Sequence, residues 1–517
     1  MSETARDYII LDKPVRRMAE QALSRAAGAP LIAGNDVELL IDAQANYAAW
    51  LAAIRGARER ILLENYIFRE DAVGREFVAA LAERARAGVE VCLIVDWLGS
   101  LWQSKSDFFQ PLLAAGGQLR QYNPFRFASP FGWVYRDHRK LLVIDRDIAF
   151  LGGLCISAKW LGDAKRNVQP WRDTAVAIRG PALLQFEQAF ADVWAQLGAP
   201  LGAGPTIAIP TAGDIALRIV ATQPDTAGMF RLDQMIAALA QRTLWIADAY
   251  FVGLSPYVQA LGAAAADGVD VRLLVPGASD LPLVRAVSRS GYRPLLERGV
   301  RVFEWNGSMM HAKTAVADGR WARVGSSNLN LASWMGNCEI DVAVEDIGFA
   351  KRMEEQYLKD LENATEIVLA STRRRHALGA VRARRASGSS SRATASALRL
   401  ARSMGAALGD RRVLSGSETG ALPWIGAATL GIALLALIWP AVLAWPLAAL
   451  AAWIGCASWV RYVRMRRATP PRTSAPLATP PPASAPTTNT TLDDCATNRT
   501  DGACDAVPAP DGKPQQP

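Results

Sequence analysis

At 517 residues, 50% hydrophobic and 21% charged, the chain is too long for one core and too apolar to be disordered overall, so two folded domains with extra segments are expected. Its net charge of +8 is local: residues 373–412 hold eleven arginines against the single acid Asp410, and the remainder is close to neutral. That distribution argues against a folded body that grips a polyanion, and six cysteines without CxxC or Cys/His spacing offer no zinc pattern, so neither metal nor cofactor is expected.

Residues 1–30 read as a polar N-terminal extension without the continuous apolar core of a secretory leader. A first α/β domain is expected over 31–200. It opens with the strand-like run Ile61–Ile67, a helical period from about Arg75 to Ala87 stopped by Gly88, and the strand Val89–Val95. Cys92 falls in that last run and reads as a small buried hydrophobe, as does Cys338 later. After a Gly, Pro and Ala-rich linker, Gly198 to Gly213, the pattern repeats over 213–366. Leu244–Phe251 is the counterpart strand, Ser255 to Asp267 the helix, Gly268 the stop and Val269–Val275 the next strand. The expected fold class is therefore α/β, with two similar domains packed about a pseudo-twofold axis.

Beyond about Ala364 the character changes. The arginine-rich block 373–412 reads as a basic linker, and His376 within it as a solvated basic-patch residue. Ala421 to Val460 carries no charge, holds Pro440 and Pro446 near its middle, and is too long for one upright span of about 20 residues. Arginines on both flanks favour a C-terminal transmembrane helical hairpin over a single tilted span. Residues 468–517, rich in Pro, Thr, Ala and Ser, read as a disordered tail, which holds Cys495 and Cys504.

The chemistry lies in the three histidines, two of which share one pattern. His138, Lys140 and Asp145 are followed by Gly152-Gly153; His311, Lys313 and Asp318 are followed by Gly325-Ser326 at the same distance. On a strand, residues i and i+2 face the same way, so each His projects with its Lys. Two halves meeting at a twofold interface would bring two imidazoles and two ammoniums into one cleft. One imidazole can then attack phosphorus while the other protonates the leaving oxygen, and the lysines hold the phosphate without a metal. Asp145 and Asp318 complete the catalytic pattern, but their odd spacing from His turns them to the other face and favours a turn or interface role. Gly153 and Ser326 occupy a place where the backbone can come close to a phosphate.

This duplicated pattern resembles the paired motifs of the phospholipase D superfamily. The likeness extends to Glu64-Asn65-Tyr66-Ile67-Phe68 and to Gly325-Ser326-Ser327-Asn328. The phrase Val271–Gly277 followed by Ser279-Asp280 and Val284-Arg285, with Asn123-Pro124-Phe125 ahead of the first motif, is similar to bacterial cardiolipin synthases. The resemblance implies a phosphohistidine intermediate, with His138 as nucleophile, His311 as general acid then base, Lys140 and Lys313 binding phosphate and Asn328 assisting. It also implies that Glu339 orients one motif histidine and Asp173 the other. Cys155 stands where the second copy has Asn328, and Asn330 and Ala332 depart from the Asp and Arg of many cardiolipin synthases, which bears on the acceptor alcohol.

The leading functional expectation is phosphatidyl transfer between phosphatidylglycerol-like lipids at a bacterial inner membrane, with the catalytic domains on the cytoplasmic side. A hydrolysing phospholipase D shares the same first step. A nuclease of the same superfamily is the alternative that the arginine block would suit; the charge-free segment and near-neutral body stand against it. The arginines otherwise clamp anionic lipid or set topology, with lipid favoured. The aromatics Phe125, Phe127, Phe131, Trp133 and Tyr135 are candidates for an interfacial lip or for ordinary packing.

Overall fold

The structure, a computed structural model, describes residues 13–101, 107–125, 134–202, 208–224, 226–369, 411–414 and 421–468. Most of the basic block with His376, the tail with Cys495 and Cys504, and Phe127, Phe131 and Trp133 lie outside the described residues. The chain divides into a body, Met1–Tyr462, and a second unit, Val463–Pro517, of which only the end of the last helix is described.

Seven strands form the first half: β1 (Ile32–Ile41), β2 (Arg60–Asn65), β3 (Glu90–Asp96), β4 (Gln118–Tyr122), β5 (Lys140–Ile144), β6 (Ile148–Gly152) and β7 (Thr174–Arg179). Seven more form the second, β8 (Ile215–Thr222), β9 (Thr243–Ala247), β10 (Asp270–Pro276), β11 (Arg301–Trp305), β12 (Thr314–Ala317), β13 (Trp321–Gly325) and β14 (Glu339–Glu345), and β15 (Ala364–Leu369) and β16 (Arg411–Leu414) extend its edge beyond β11. The first sheet runs β1-β7-β6-β5-β2-β3-β4, and the second β8-β14-β13-β12-β9-β10-β11, the same order seven strands later. The sheets join where β1 pairs antiparallel with β8. Antiparallel pairing of equivalent strands is what a local twofold axis at the seam produces.

Strand periodicity sorts the side chains into three cores. From β2, Ile61 and Leu63 face helices Asp42–Gly56 and Ala72–Arg86, while Leu62 turns the other way. From β9, Leu244 and Ile246 face helices Gly228–Leu239 and Ser255–Ala266, while Trp245 turns the other way. The inward faces of both sheets share one core, filled by helices Leu183–Gln196 and Ile347–Leu361 through Phe186, Phe190, Val193, Phe349, Met353 and Tyr357. Cys92 and Cys338 are buried in this shared core.

The C-terminal segment departs from expectation. It forms helices Ala421–Ile438 and Pro440–Ala468, and among the described residues no helix is long and apolar enough to cross a membrane. Proline 440, which has no N–H to continue the ladder, ends the first helix at 18 residues. Where a transmembrane hairpin was expected, the structure describes two apolar helices that do not support it.

Because Phe186 is fully buried where both halves meet, Phe186→Ala should destabilise the body by about 3–5 kcal/mol, measured by urea unfolding.

Candidate active site

Each motif histidine sits just ahead of its strand and not on it, since β5 begins at Lys140 and β12 at Thr314. The backbone there leaves its own sheet and pairs across the seam. His138 N donates to Cys338 O at 2.9 Å and Cys338 N to Arg136 O at 2.8 Å. In the mirror arrangement, His311 N donates to Arg172 O at 2.7 Å and Arg172 N to Met309 O at 2.9 Å. These segments put each histidine beside an acid of the opposite half. His138 Nδ1 lies 2.9 and 3.1 Å from the carboxylate oxygens of Glu339, and His311 Nδ1 lies 2.7 Å from Asp173 Oδ2.

The acids are themselves held. Glu339 accepts from Ser326 Oγ at 2.5 Å and Asn337 Nδ2 at 3.1 Å; Asp173 accepts from Trp160 Nε1 and from Thr174 N, both at 2.8 Å. Gly153 matches Ser326 in the repeat, and a Cβ there would fall 2.1 Å from Asp173 Oδ1. The two positions therefore serve the acids, by leaving room in one half and by donating a hydrogen bond in the other. This corrects the expectation that they bring backbone to a phosphate.

With Nδ1 donating to a carboxylate, Nε2 carries the lone pair. Both rings line one cavity of about 660 Å³, shared with Tyr66, Trp160, Trp171, Tyr250 and Asn328. Asn328 Oδ1 is buried without a hydrogen-bond partner among the described residues. Lys140 and Lys313 are buried beside the rings, each ammonium donating at 2.5 Å to the carbonyl of its own histidine.

Burial depresses His138 below its ordinary 6.5 against the pull of Glu339, and burial, then Lys313, bring His311 down to about 4. Burial works on the acids in the opposite sense. The His138 charge and hydrogen bond nevertheless overcome it and bring Glu339 down to about 2, and His311 likewise holds Asp173 low. Lys313 is lowered to about 8, first by burial and, against the pull of Asp173, by Lys140. With Glu339 and Asp173 ionised, two carboxylates face two ammoniums, and the imidazoles between them stay neutral.

Asp145 and Asp318 are not brought to this cavity. Asp145 accepts from Arg58 N, Glu59 N and Arg60 N at 2.6–2.9 Å, and Asp318 from Gln241 N, Arg242 N and Thr243 N at 2.7–2.9 Å. Each sits in a turn at positive φ and fixes the start of the neighbouring strand β2 or β9. Counting them as catalytic is thereby corrected. Sequence reasoning missed the aromatic walls: Tyr66 meets His138 edge-on with centroids 4.8 Å apart, and Trp160, Trp171 and Tyr250 surround His311 at 5.2, 5.5 and 5.8 Å. Tyr66 and Tyr250 lie one and three residues beyond the ends of β2 and β9, and each belongs to the half whose histidine it meets.

The profile described as "Cardiolipin synthase, PLD-like domain" matches residues 50–194 and 233–361, the two halves that supply these histidines. The chain belongs to this family. The cardiolipin synthase of Clostridium perfringens is 33% identical over 352 residues, covering 66% of this chain and 73% of the relative. Cardiolipin synthase A of Pseudomonas entomophila is 31% identical over 373 residues, covering 70% and 75%. Among solved structures, the phosphatidylserine synthase of Haemophilus influenzae shares the fold, with a TM-score of 0.52 and 15% identity over 67% of this chain and 91% of that one.

Both shifted groups bind protons less readily folded than unfolded, so stability falls as pH drops. The His311 contribution is lost between its ordinary 6.5 and about 4, and that of Glu339 between 4.5 and about 2. Urea unfolding from pH 7 to 4 should show this decline in the wild type and a flatter one in His311→Asn.

Proposed function

We propose that this chain is a phosphatidyltransferase that joins two phosphatidylglycerol molecules into cardiolipin and releases glycerol, through a phosphohistidine. The observation that carries the reading is the pair of neutral imidazoles, each tied at Nδ1 to an acid of the other half, opening on one cavity. His138 Nε2 attacks the donor phosphorus, and the bond from phosphorus to the glycerol oxygen breaks. His311 gives that oxygen its proton. The anionic phosphodiester, held against Lys140 and Lys313 and assisted by Asn328, raises the His311 pKa towards protonation as it binds. In the second step the acceptor hydroxyl attacks phosphorus, His311 takes its proton, and the bond to His138 breaks.

A lipid substrate is supported by the cavity wall, where Val134, Leu281, Val284 and Leu331 stand among the polar groups. The helices Ala421–Ile438 and Pro440–Ala468 add exposed apolar side chains, with Leu437 80% and Trp445 75% exposed. A surface of that kind suits seating on a bilayer. Phe125, half of the expected lip that is described, packs on Trp453 of the second of these helices with centroids 5.9 Å apart. The enzyme would work at a bacterial inner membrane from its cytoplasmic side.

Purified enzyme given labelled phosphatidylglycerol should yield cardiolipin and glycerol by mass spectrometry. His138→Ala and His311→Ala should each lower that yield at least about 10³-fold, and Glu339→Gln about 10²-fold or more. Phosphatidic acid as the sole product would identify a hydrolase instead.

A further inference from the structure

The phrase Ser279-Asp280, part of the likeness to cardiolipin synthases, has no role in the two-histidine chemistry. Asp280 follows β10 and stands on the cavity wall close to the His311 side. Tyr250 Oη donates to its Oδ1 at 2.7 Å, and Lys159 of the first half approaches its Oδ2 at 3.0 Å. Both partners belong to the box around His311. The Tyr250 ring meets that imidazole edge-on at 5.8 Å, and the Lys159 ammonium lies 4.3 Å from the ring of Trp171, itself 5.5 Å from His311.

The side chains of Lys159 and Asp280 are 42% and 29% exposed, so water screens their ion pair and it adds little to stability. What the arrangement does supply is an oriented carboxylate facing the cavity beside the general base. The walls differ in chemistry: the first half contributes Arg69, Arg136 and Lys159, the second Asp280, Asn328 and Asn330. A carboxylate repels phosphate but accepts hydrogen bonds from hydroxyl groups.

We propose that Asp280 determines acceptor specificity by receiving one hydroxyl of a polyol headgroup, with Lys159 facing the phosphate of that same acceptor lipid. This rests on the transferase reading above. In the transfer step the acceptor's primary hydroxyl oxygen bonds to phosphorus, the bond from phosphorus to the His138 nitrogen breaks, and the hydroxyl proton passes to His311. Asp280 holds the neighbouring hydroxyl and takes no proton. A vicinal diol is thereby aligned for attack, whereas water or a monohydric alcohol gains nothing from the carboxylate.

The test uses the full chain on phosphatidylglycerol vesicles, with and without ethanol, and measures cardiolipin, phosphatidylethanol and phosphatidic acid. In Asp280→Asn the ratio of cardiolipin to phosphatidic acid should fall about tenfold or more, while the ratio of phosphatidylethanol to phosphatidic acid stays within about twofold of wild type. A cardiolipin ratio that does not move overturns the proposal, and so does an equal fall of both ratios. Should that variant fail to fold by circular dichroism, Lys159→Ala decides, because it too should lower the cardiolipin ratio selectively and an unmoved ratio overturns the assignment. A wild type that makes only phosphatidic acid, even with ethanol present, overturns the transferase reading and this one with it. An unmoved ratio in the variants overturns this one alone.

Discussion

Everything in the site depends on two exchanged contacts, in which each half supplies the carboxylate that holds the other half's imidazole. A histidine two or three residues ahead of its strand has no neighbour in its own sheet to fix its ring. The fold supplies one by pairing the incoming segment with the opposite half, so that Arg136–His138 runs against Cys338 and Met309–His311 against Arg172. Two buried arginines reinforce the crossing. Arg139 donates to Glu339 O, Ala189 O and Thr222 O, and Arg172 donates to Asp173 O and, at 2.8 Å, to Asp360. Neither half contains a complete histidine environment, and the pairing of β1 with β8 is therefore a condition for the chemistry as well as for the sheet.

Such a site places four ionisable groups and two lysines where water is scarce, which costs free energy unless partners compensate. The compensation is local and sequential. Carboxylate faces imidazole, hydroxyl or indole faces carboxylate, and ammonium faces carbonyl. Burial leaves the imidazoles neutral, against the pull of the carboxylate on each ring and with the nearby ammoniums opposing a further positive charge. In the proposed reaction a phosphodiester brings one further negative charge beside them. In that proposal the added charge also favours a proton on His311, the acid that the first step consumes, so occupancy and competence are linked by one electrostatic balance.

The repeat made much of this legible in advance. Identical spacing from His to Lys, Asp and the following small pair located both halves of the site, and alternating apolar runs with glycine stops located the strands and helices of each copy. What period-two reasoning could not give was the extended crossing ahead of β5 and β12, because no pattern in one chain states that a segment pairs with its opposite number. For the same reason the place of Gly153 was misread: its lack of a side chain answers to Asp173, which is distant in sequence and adjacent only after the halves meet. Asp145 and Asp318 show the converse. Their odd spacing already turned them away from the histidines, and the structure employs them as caps on three backbone N–H groups each. The apolar C-terminal segment was legible as apolar, but its division by Pro440 was weighed as a hairpin turn when it also shortens the helix before it.

Where the two copies differ, the differences gather around the imidazoles. His138 has a carboxylate steadied by the Ser326 hydroxyl and the Asn337 amide, with one tyrosine against the ring. His311 has a carboxylate steadied by indole and backbone, three aromatic neighbours, and Lys313 Nζ at 3.1 Å from Nδ1. Since Nδ1 donates to Asp173, that ammonium acts on the ring by its charge, and after burial it is what holds the His311 pKa down. A duplicated scaffold begins with two equivalent imidazoles, and a two-step transfer needs inequivalent ones. The shell of each ring, not the motif that delivers it, is where the halves have parted, and the shell is built largely from residues of the opposite copy.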